Sequence, residues 1–197
     1  MKYKKGAPWK PGNYRPITLL QNIYKIYSNL IMARQREKYI VHRTQSGFRQ
    51  NKSTTDNCTM LKEIYKDAKR KKKEVHTIYI DISKAFDSIQ HWHIEEVLKY
   101  YKINPKLIEA IMNLLGNRRA RLKINSQVTE WFKVTQGTRQ GDPISPLLFL
   151  MCINPIIEHI NQKGKGYKLN KWVKISILAY ADNIVLIGSS RKEIEKT

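Results

Sequence analysis

Cysteine is scarce in this 197-residue chain: Cys58 and Cys152 stand far apart, with neither a CxxC pair nor Cys/His ligand spacing. A disulfide framework and a zinc site are therefore not indicated, and an intracellular, reducing location in nucleus or cytoplasm is expected. Acidic residues are also few, 16 Asp and Glu against 37 Lys and Arg, which leaves a formal net charge of +21. Such an excess points to a polyanionic partner, foremost nucleic acid, whose closely spaced phosphates reward distributed cations through counterion release. Long apolar runs are missing. The longest, Ile144 to Ile157, is interrupted by Pro146, Asn154 and Pro155 and is too short and broken to span a bilayer. No apolar stretch follows the charged start Met1-Lys2-Tyr3-Lys4-Lys5, so a secretory signal is not expected, and no helix looks dedicated to a membrane surface. Internal repeats are absent, and the one biased stretch, Lys69-Arg70-Lys71-Lys72-Lys73, is of a kind most often found as a solvated turn.

What is present suffices for a core: 41% of residues are hydrophobic, enough for one large domain or two small ones. Residues 1–16, rich in Pro, Gly and Lys, read as an extended lead-in ending at Tyr14-Arg15-Pro16; Ile23, Ile26, Tyr27, Leu30 and Ile31 then recur at helical spacing. After a loop at Gln45-Ser46-Gly47-Phe48-Arg49-Gln50, Ser53-Thr54-Thr55-Asp56 supplies N-cap chemistry for a helix whose inner face is Leu61, Ile64, Tyr65 and Ala68. Val75 to Ile82 is β-branched and aromatic and predicts a buried strand with Asp81 at its C-terminal end. A helix through Ile94, Val97, Leu98 and Tyr101 follows, then one with Asn104 as N-cap, Pro105 in the first turn and Gly116 just past the end. Arg121–Asn125 and Val128–Val134 flank Ser126-Gln127 and predict a hairpin, with Arg118, Arg119, Arg121 and Lys123 as a basic edge suited to a nucleic-acid strand. A turn-rich loop, Gly137–Pro143, leads into a long apolar helix that starts at Ser145-Pro146 and has Pro155 near its middle, and a final hairpin spans Lys174 to Ile187. Interleaved strands and helices imply an α/β or α+β class.

Two carboxylates stand out. Asp81 closes a predicted strand, and Asp182 sits on the tight turn of Ala179-Tyr180-Ala181-Asp182-Asn183-Ile184-Val185-Leu186, so each is offered from the edge of a rigid element. Phosphoryl transfer needs little covalent help from protein, but two Mg²⁺ about 3.5–4 Å apart can activate the attacking hydroxyl and stabilise the leaving oxygen. Carboxylates are the hard ligands that Mg²⁺ prefers. Taken alone the pair decides little, because Asp is common at turns for backbone reasons.

Further motifs accompany the pair in a fixed order. They are Asn13-Tyr14-Arg15-Pro16-Ile17-Thr18-Leu19, Gln45-Ser46-Gly47-Phe48-Arg49, Tyr79-Ile80-Asp81-Ile82-Ser83-Lys84-Ala85-Phe86-Asp87, the stretch from Gly137-Thr138-Arg139-Gln140-Gly141-Asp142-Pro143 to Phe149, and Tyr180-Ala181-Asp182-Asn183. From about residue 7 to 190 the series resembles the reverse transcriptase domain (RNA-directed DNA polymerase), in particular that of non-long-terminal-repeat, LINE-type retrotransposons. Group II intron maturases and telomerases share its palm. The resemblance implies a right-hand polymerase fold of the α+β class, with an antiparallel palm sheet backed by helices. Residues 1–74 would be fingers and 75–197 palm, with about 93–140 contributing helices and a hairpin towards the fingers, and with thumb and endonuclease absent.

The same resemblance implies roles residue by residue. Asp81 and Asp182 would be the catalytic ligands of two Mg²⁺, with Mn²⁺ as a possible substitute. Phe86 matches the bulky side chain that lies under the incoming sugar and collides with a 2′-hydroxyl, against the plainer reading of a core aromatic. Gln140 and Gly141 match the loop lining the nucleotide pocket, where glycine admits close backbone approach and the amide can hydrogen-bond. Arg49 and Arg139, with Arg15 and Lys52 behind them, are placed to neutralise triphosphate charge, although any one arginine in so basic a chain is by default solvated surface. Asp87 reads as a structural cap outside the catalytic set. The implied partners are an RNA template, a DNA primer and deoxynucleoside triphosphates, with no membrane; the oligomeric state is not legible.

One position departs from the family pattern. Active members carry two adjacent aspartates at this turn, whereas here the second is Asn183, a neutral amide and a poorer Mg²⁺ ligand. Asn tolerates turn and left-handed backbone as well as Asp does, so the fold is expected to survive while metal binding suffers. Two readings follow: a polymerase domain impaired by Asn183 and by the absent thumb, or an inactive nucleic-acid-binding remnant of one.

Overall fold

A computed structural model of the chain describes residues 2–3, 6–7, 9–10, 13–15, 17–36, 41–116, 118–124 and 126–195. Pro16, Asn125 and the Arg15 side chain, all invoked above, lie outside what it describes. In chain order the elements are β1 (Lys2–Tyr3), β2 (Tyr14–Arg15), α1 (Asn22–Arg36), α2 (Thr54–Lys71), β3 (His76–Asp81), α3 (Ala85–Ser88), α4 (His91–Tyr100) and α5 (Pro105–Leu115). There follow β4 (Arg118–Ala120), β5 (Lys123–Ile124), β6 (Gln127–Val128), β7 (Phe132–Val134), α6 (Ser145–Lys163), β8 (Tyr167–Lys168), β9 (Lys174–Ile175), β10 (Ile177–Tyr180), β11 (Asn183–Gly188) and α7 (Arg191–Ile194). Helices and small antiparallel sheets make this an α+β chain. It divides into two compact units, Met1–Tyr39 with Phe86–Phe149, and Ile40–Ala85 with Leu150–Thr197.

The second unit holds the only three-stranded sheet among the described residues, in the order β10-β11-β3 and antiparallel throughout. Its core joins Ile64 and Ala68 of α2 to Tyr167, Ile175, Leu178 and Ile187, so the apolar stripe expected on that helix is the one that docks. The helix starts where expected: the Ser53 backbone N–H donates to the Asp56 carboxylate at 2.8 Å, and Lys72 ends it in the left-handed region at φ 52°. Tyr65, also expected inside, is instead half-exposed, its hydroxyl sharing hydrogen bonds with Thr77 and Tyr79. β3 corrects a further expectation. It is an edge strand whose outer half is open to solvent, with Tyr79 65% exposed, because among the described residues only β11 pairs with it. Lys174 and Ile175 likewise leave the expected final hairpin to pair with β8, and the hairpin proper begins at Ile177.

In the first unit α4 and α5 pack on each other through Ile94, Val97, Leu98, Ile108 and Ile111, and Asn104 caps α5 by accepting the Lys106 N–H at 3.0 Å. Helix α1 forms as its spacing predicts but buries only Ile31 of the expected residues. Ser28 and Ile31 are inside while Ile23, Ile26 and Leu30 are exposed. The arginine-rich hairpin is longer than expected, since β4 pairs with β7 and β5 with β6, and Gln127 belongs to a strand rather than to the turn. Arg118 does not join the basic edge. It is buried, and its guanidinium donates to the Gly137 carbonyl at 2.5 Å and the Gln136 carbonyl at 3.3 Å.

Candidate active site

Residues about a hundred positions apart meet at one end of the second unit's sheet. Asp81, the last residue of β3, pairs with Asn183, the first of β11, and the Ile82 N–H donates to the Asp182 carbonyl at 3.3 Å. Directly opposed residues share a sheet face with Cβ atoms about 4.5–5.5 Å apart, so the Asp81 carboxylate and the Asn183 amide are neighbours. Asp182 stands beside them, half-buried on the turn, and Asn183 Nδ2 reaches its carboxylate at 3.5 Å. Among the described residues neither Asp81 nor Asp182 makes an ion pair. No group of three or more His, Cys, Asp or Glu in those residues is arranged to hold an ion. The left-handed residue of the turn is Ala181, at φ 54°, not Asn183, which is ordinary strand. That conformation costs an L-residue roughly 1–2 kcal/mol.

What holds the turn is Gln45, a fully buried side chain that the sequence did not single out. Its Oε1 accepts the N–H of Ala181 and of Gly47, each at 2.8 Å, and its Nε2 donates to the Ala181 carbonyl at 3.2 Å. Two N–H donors converging on one atom identify it as the oxygen of the amide. Thr44 and Ser46 flank it by pairing in parallel fashion with Ala179 on β10, and the Asn57 amide also donates to the Ala179 carbonyl at 2.9 Å. Gly47 lies so close that a Cβ there would stand 2.3 Å from the Ala181 nitrogen. Arg49 is anchored to the same segment, donating to the Gln45 carbonyl at 3.2 Å.

The first unit contains the other expected residues, grouped on the Gly137–Pro143 loop. Gly137 at φ 77° packs on the backbone of Asp87, where a Cβ would come within 2.7 Å, and its N–H donates to the Ile89 carbonyl at 2.7 Å. Thr138 donates to the Phe86 carbonyl at 2.7 Å, and the Phe86 ring, half-buried, stacks on Phe149 with centroids 4.8 Å apart. The Gln140 amide donates to both Asp87 oxygens at 3.3–3.4 Å, which gives Asp87 a definite partner, and Gly141 takes φ 104°, a conformation glycine alone adopts without strain. Asp142 is buried and accepts from the Ser28 and Tyr24 hydroxyls; burial, reinforced by this bond, pushes the Tyr24 phenol well above its usual range. The Arg139 guanidinium lies over the Tyr24 ring, 4.5 Å from its centroid, and its buried Nη1 has no hydrogen-bond partner among the described residues. An anionic oxygen would satisfy that donor.

The fold is shared with telomerase structures. Telomerase of Candida tropicalis, truncated from its C-terminal domain, superposes with a TM-score of 0.57 over 88% of this chain and 35% of its own length, at 16% identity, a likeness of fold. Telomerase of Candida albicans in complex with a telomeric RNA fragment gives a TM-score of 0.56, at 9% identity, over 88% of this chain and 31% of its own. The chain belongs to the reverse transcriptase (RNA-dependent DNA polymerase) family, whose pattern matches residues 3–197. Among relatives, a Pol polyprotein from the R2 retrotransposable element of Nasonia vitripennis is 26% identical over 98% of this chain and 18% of its own length. A probable RNA-directed DNA polymerase from the X-element transposon of Drosophila melanogaster is 30% identical over 98% of this chain and 21% of its own. The chain therefore spans about a fifth of the relatives it matches.

Proposed function

We propose that this chain carries the fingers (1–74) and palm (75–197) of a retrotransposon RNA-directed DNA polymerase, with Asp81 and Asp182 as its catalytic carboxylates. The observation that carries this reading is the register of β3 on β11, which puts Asp81 opposite Asn183 and next to Asp182. Two carboxylates at one sheet end, without an ion pair among the described residues, are a donor set that fits a hard divalent cation. Asp81 and Asp182 would hold Mg²⁺ or Mn²⁺, and two such ions when bound supply positive charge that activates a primer hydroxyl and offsets the charge leaving as pyrophosphate. The chain's own groups bind and orient. Phe86 would exclude a 2′-hydroxyl, Gly141 would let backbone approach the nucleotide, and Gln140, oriented by Asp87, would hydrogen-bond to it. The unsatisfied Arg139 donor and the Arg49 cation would meet triphosphate oxygens. An RNA template, a DNA primer and deoxynucleoside triphosphates are the partners in this reading.

Asn183 favours a second reading in which the basic chain binds nucleic acid without turnover. Single-nucleotide incorporation on an RNA-templated DNA primer separates the two. Asn183→Asp is expected to raise the rate at least about tenfold, equivalent to roughly 1.4 kcal/mol of transition-state stabilisation, and Asp81→Ala is expected to abolish it. Equal rates for the chain and Asn183→Asp would remove Asn183 as the impairing residue. RNA binding that persists in Asp81→Ala, with no incorporation by any variant, would establish the second reading.

A further inference from the structure

The Tyr180–Asn183 pair closes the turn that carries Asp182, and a further restraint acts on that turn from outside the hairpin. Ala181 takes a backbone conformation that L side chains rarely adopt, and Asp182 follows it directly. A segment far away in the sequence supplies the restraint. The backbone on either side of Gln45 is pinned to Ala179 by two hydrogen bonds, Ala179 N–H to the Thr44 carbonyl at 2.9 Å and Ser46 N–H to the Ala179 carbonyl at 2.8 Å. From that base the Gln45 amide grips both the N–H and the carbonyl of Ala181 while also accepting from Gly47. Three of its hydrogen-bonding positions are thus filled by backbone, so rotating or shortening the side chain breaks the grip. Gly47, with no room for a Cβ, lets the segment press against the turn.

We propose that Gln45 is a positioning residue: its amide locks Ala181 in the left-handed conformation that sets Asp182 beside Asp81, where the two carboxylates would hold a divalent ion. The inference rests on Asp81 and Asp182 being the metal carboxylates. Second-layer groups of this kind change metal affinity without touching the metal. Three variants decide it, Gln45→Met, which keeps length and loses hydrogen bonding, Gln45→Glu, which keeps the acceptors and loses the donor, and Asp81→Asn. Two readouts are needed: Mn²⁺ titration followed by electron paramagnetic resonance, and amide hydrogen exchange of Ala181 against the β3–β11 ladder.

In Gln45→Met the Mn²⁺ dissociation constant is expected to rise about 10–100-fold, with faster exchange at Ala181 and an unchanged ladder. Gln45→Glu is expected to retain protection at Ala181. Unchanged exchange at Ala181 in Gln45→Met would overturn the clamp, and faster exchange there with unchanged Mn²⁺ affinity would overturn its positioning role. Loss of protection along the whole ladder in both Gln45 variants would make Gln45 a core residue and overturn the proposal as well. If Asp81→Asn leaves Mn²⁺ binding unchanged, the metal reading fails on its own account, while the exchange measurement still tells whether Gln45 holds the turn.

Discussion

Gly47 and Asn183 show how differently two single residues bear on one turn. At Gly47 the constraint is contact, since a methyl group would drive into backbone nitrogen rather than into a side chain that can swing aside. Gly47→Ala is therefore expected to cost about 1–3 kcal/mol, the range for overpacking a filled site, seen as a lower urea midpoint; an unchanged midpoint would mean that residues 45–47 move away freely. At Asn183 the constraint is chemical. The residue lies in regular strand and pairs with Asp81, so Asp fits the same backbone and the difference is a carboxylate in place of a neutral amide. The left-handed residue of the turn is Ala181, which no propensity rule would nominate.

Elements were legible where the chain's local chemistry decides them. The capping of α2 by Ser53 and Asp56, the Asn104-Pro105 start of α5 and the Ala179–Leu186 hairpin all follow from neighbours in sequence. Burial was less legible, because it depends on what lies across space. The β-branched composition of β3 predicts an inside strand, yet in this chain it is an edge. Arg118 reads as surface and is instead the donor that closes the carbonyls of Gln136 and Gly137. Motif order nominates Asp81, Asp182, Gln140 and Gly141, whereas nothing near Gln45 in the sequence points to its task, since its partner turn is 136 positions away.

The loop that Arg118 closes also carries a pH signature. His91 Nε2 lies 3.0 Å from the Gly137 carbonyl, and burial, with Arg118 adding to it, holds the imidazole below its ordinary value of 6.5. In the second unit burial lowers His42 in the same direction. Groups depressed on folding favour the folded state above their unfolded pKa, so this contribution is complete above about pH 6.5 and fades as pH falls through the folded values. Urea midpoints are expected to drop on acidification below that point, and His91→Gln is expected to flatten the drop; an unaltered slope would dissociate His91 from it.

For the molecule as a whole, the net charge of +21 sets how it meets a polyanion. Lysines crowd places outside both residue clusters, among them Lys73, Lys163, Lys165, Lys168 and Lys174 around a cavity of about 780 Å³ in the second unit. RNA affinity followed by fluorescence anisotropy is expected to fall steeply with salt, with a log–log slope of about −4 if about six phosphates of a single strand are neutralised. A slope near zero would contradict a charge-driven association.

The grip of Gln45 on Ala181 also has a consequence for how the chain must fold. A bond that closes over 136 positions belongs to the slow, non-local class of contacts, whereas the β10–β11 hairpin beneath it joins neighbours and can form early. The hairpin would then exist before its turn acquires its final shape. The turn is completed only when residues 44–47 dock, so a fragment beginning after them would keep the strands and lose the geometry of Asp182.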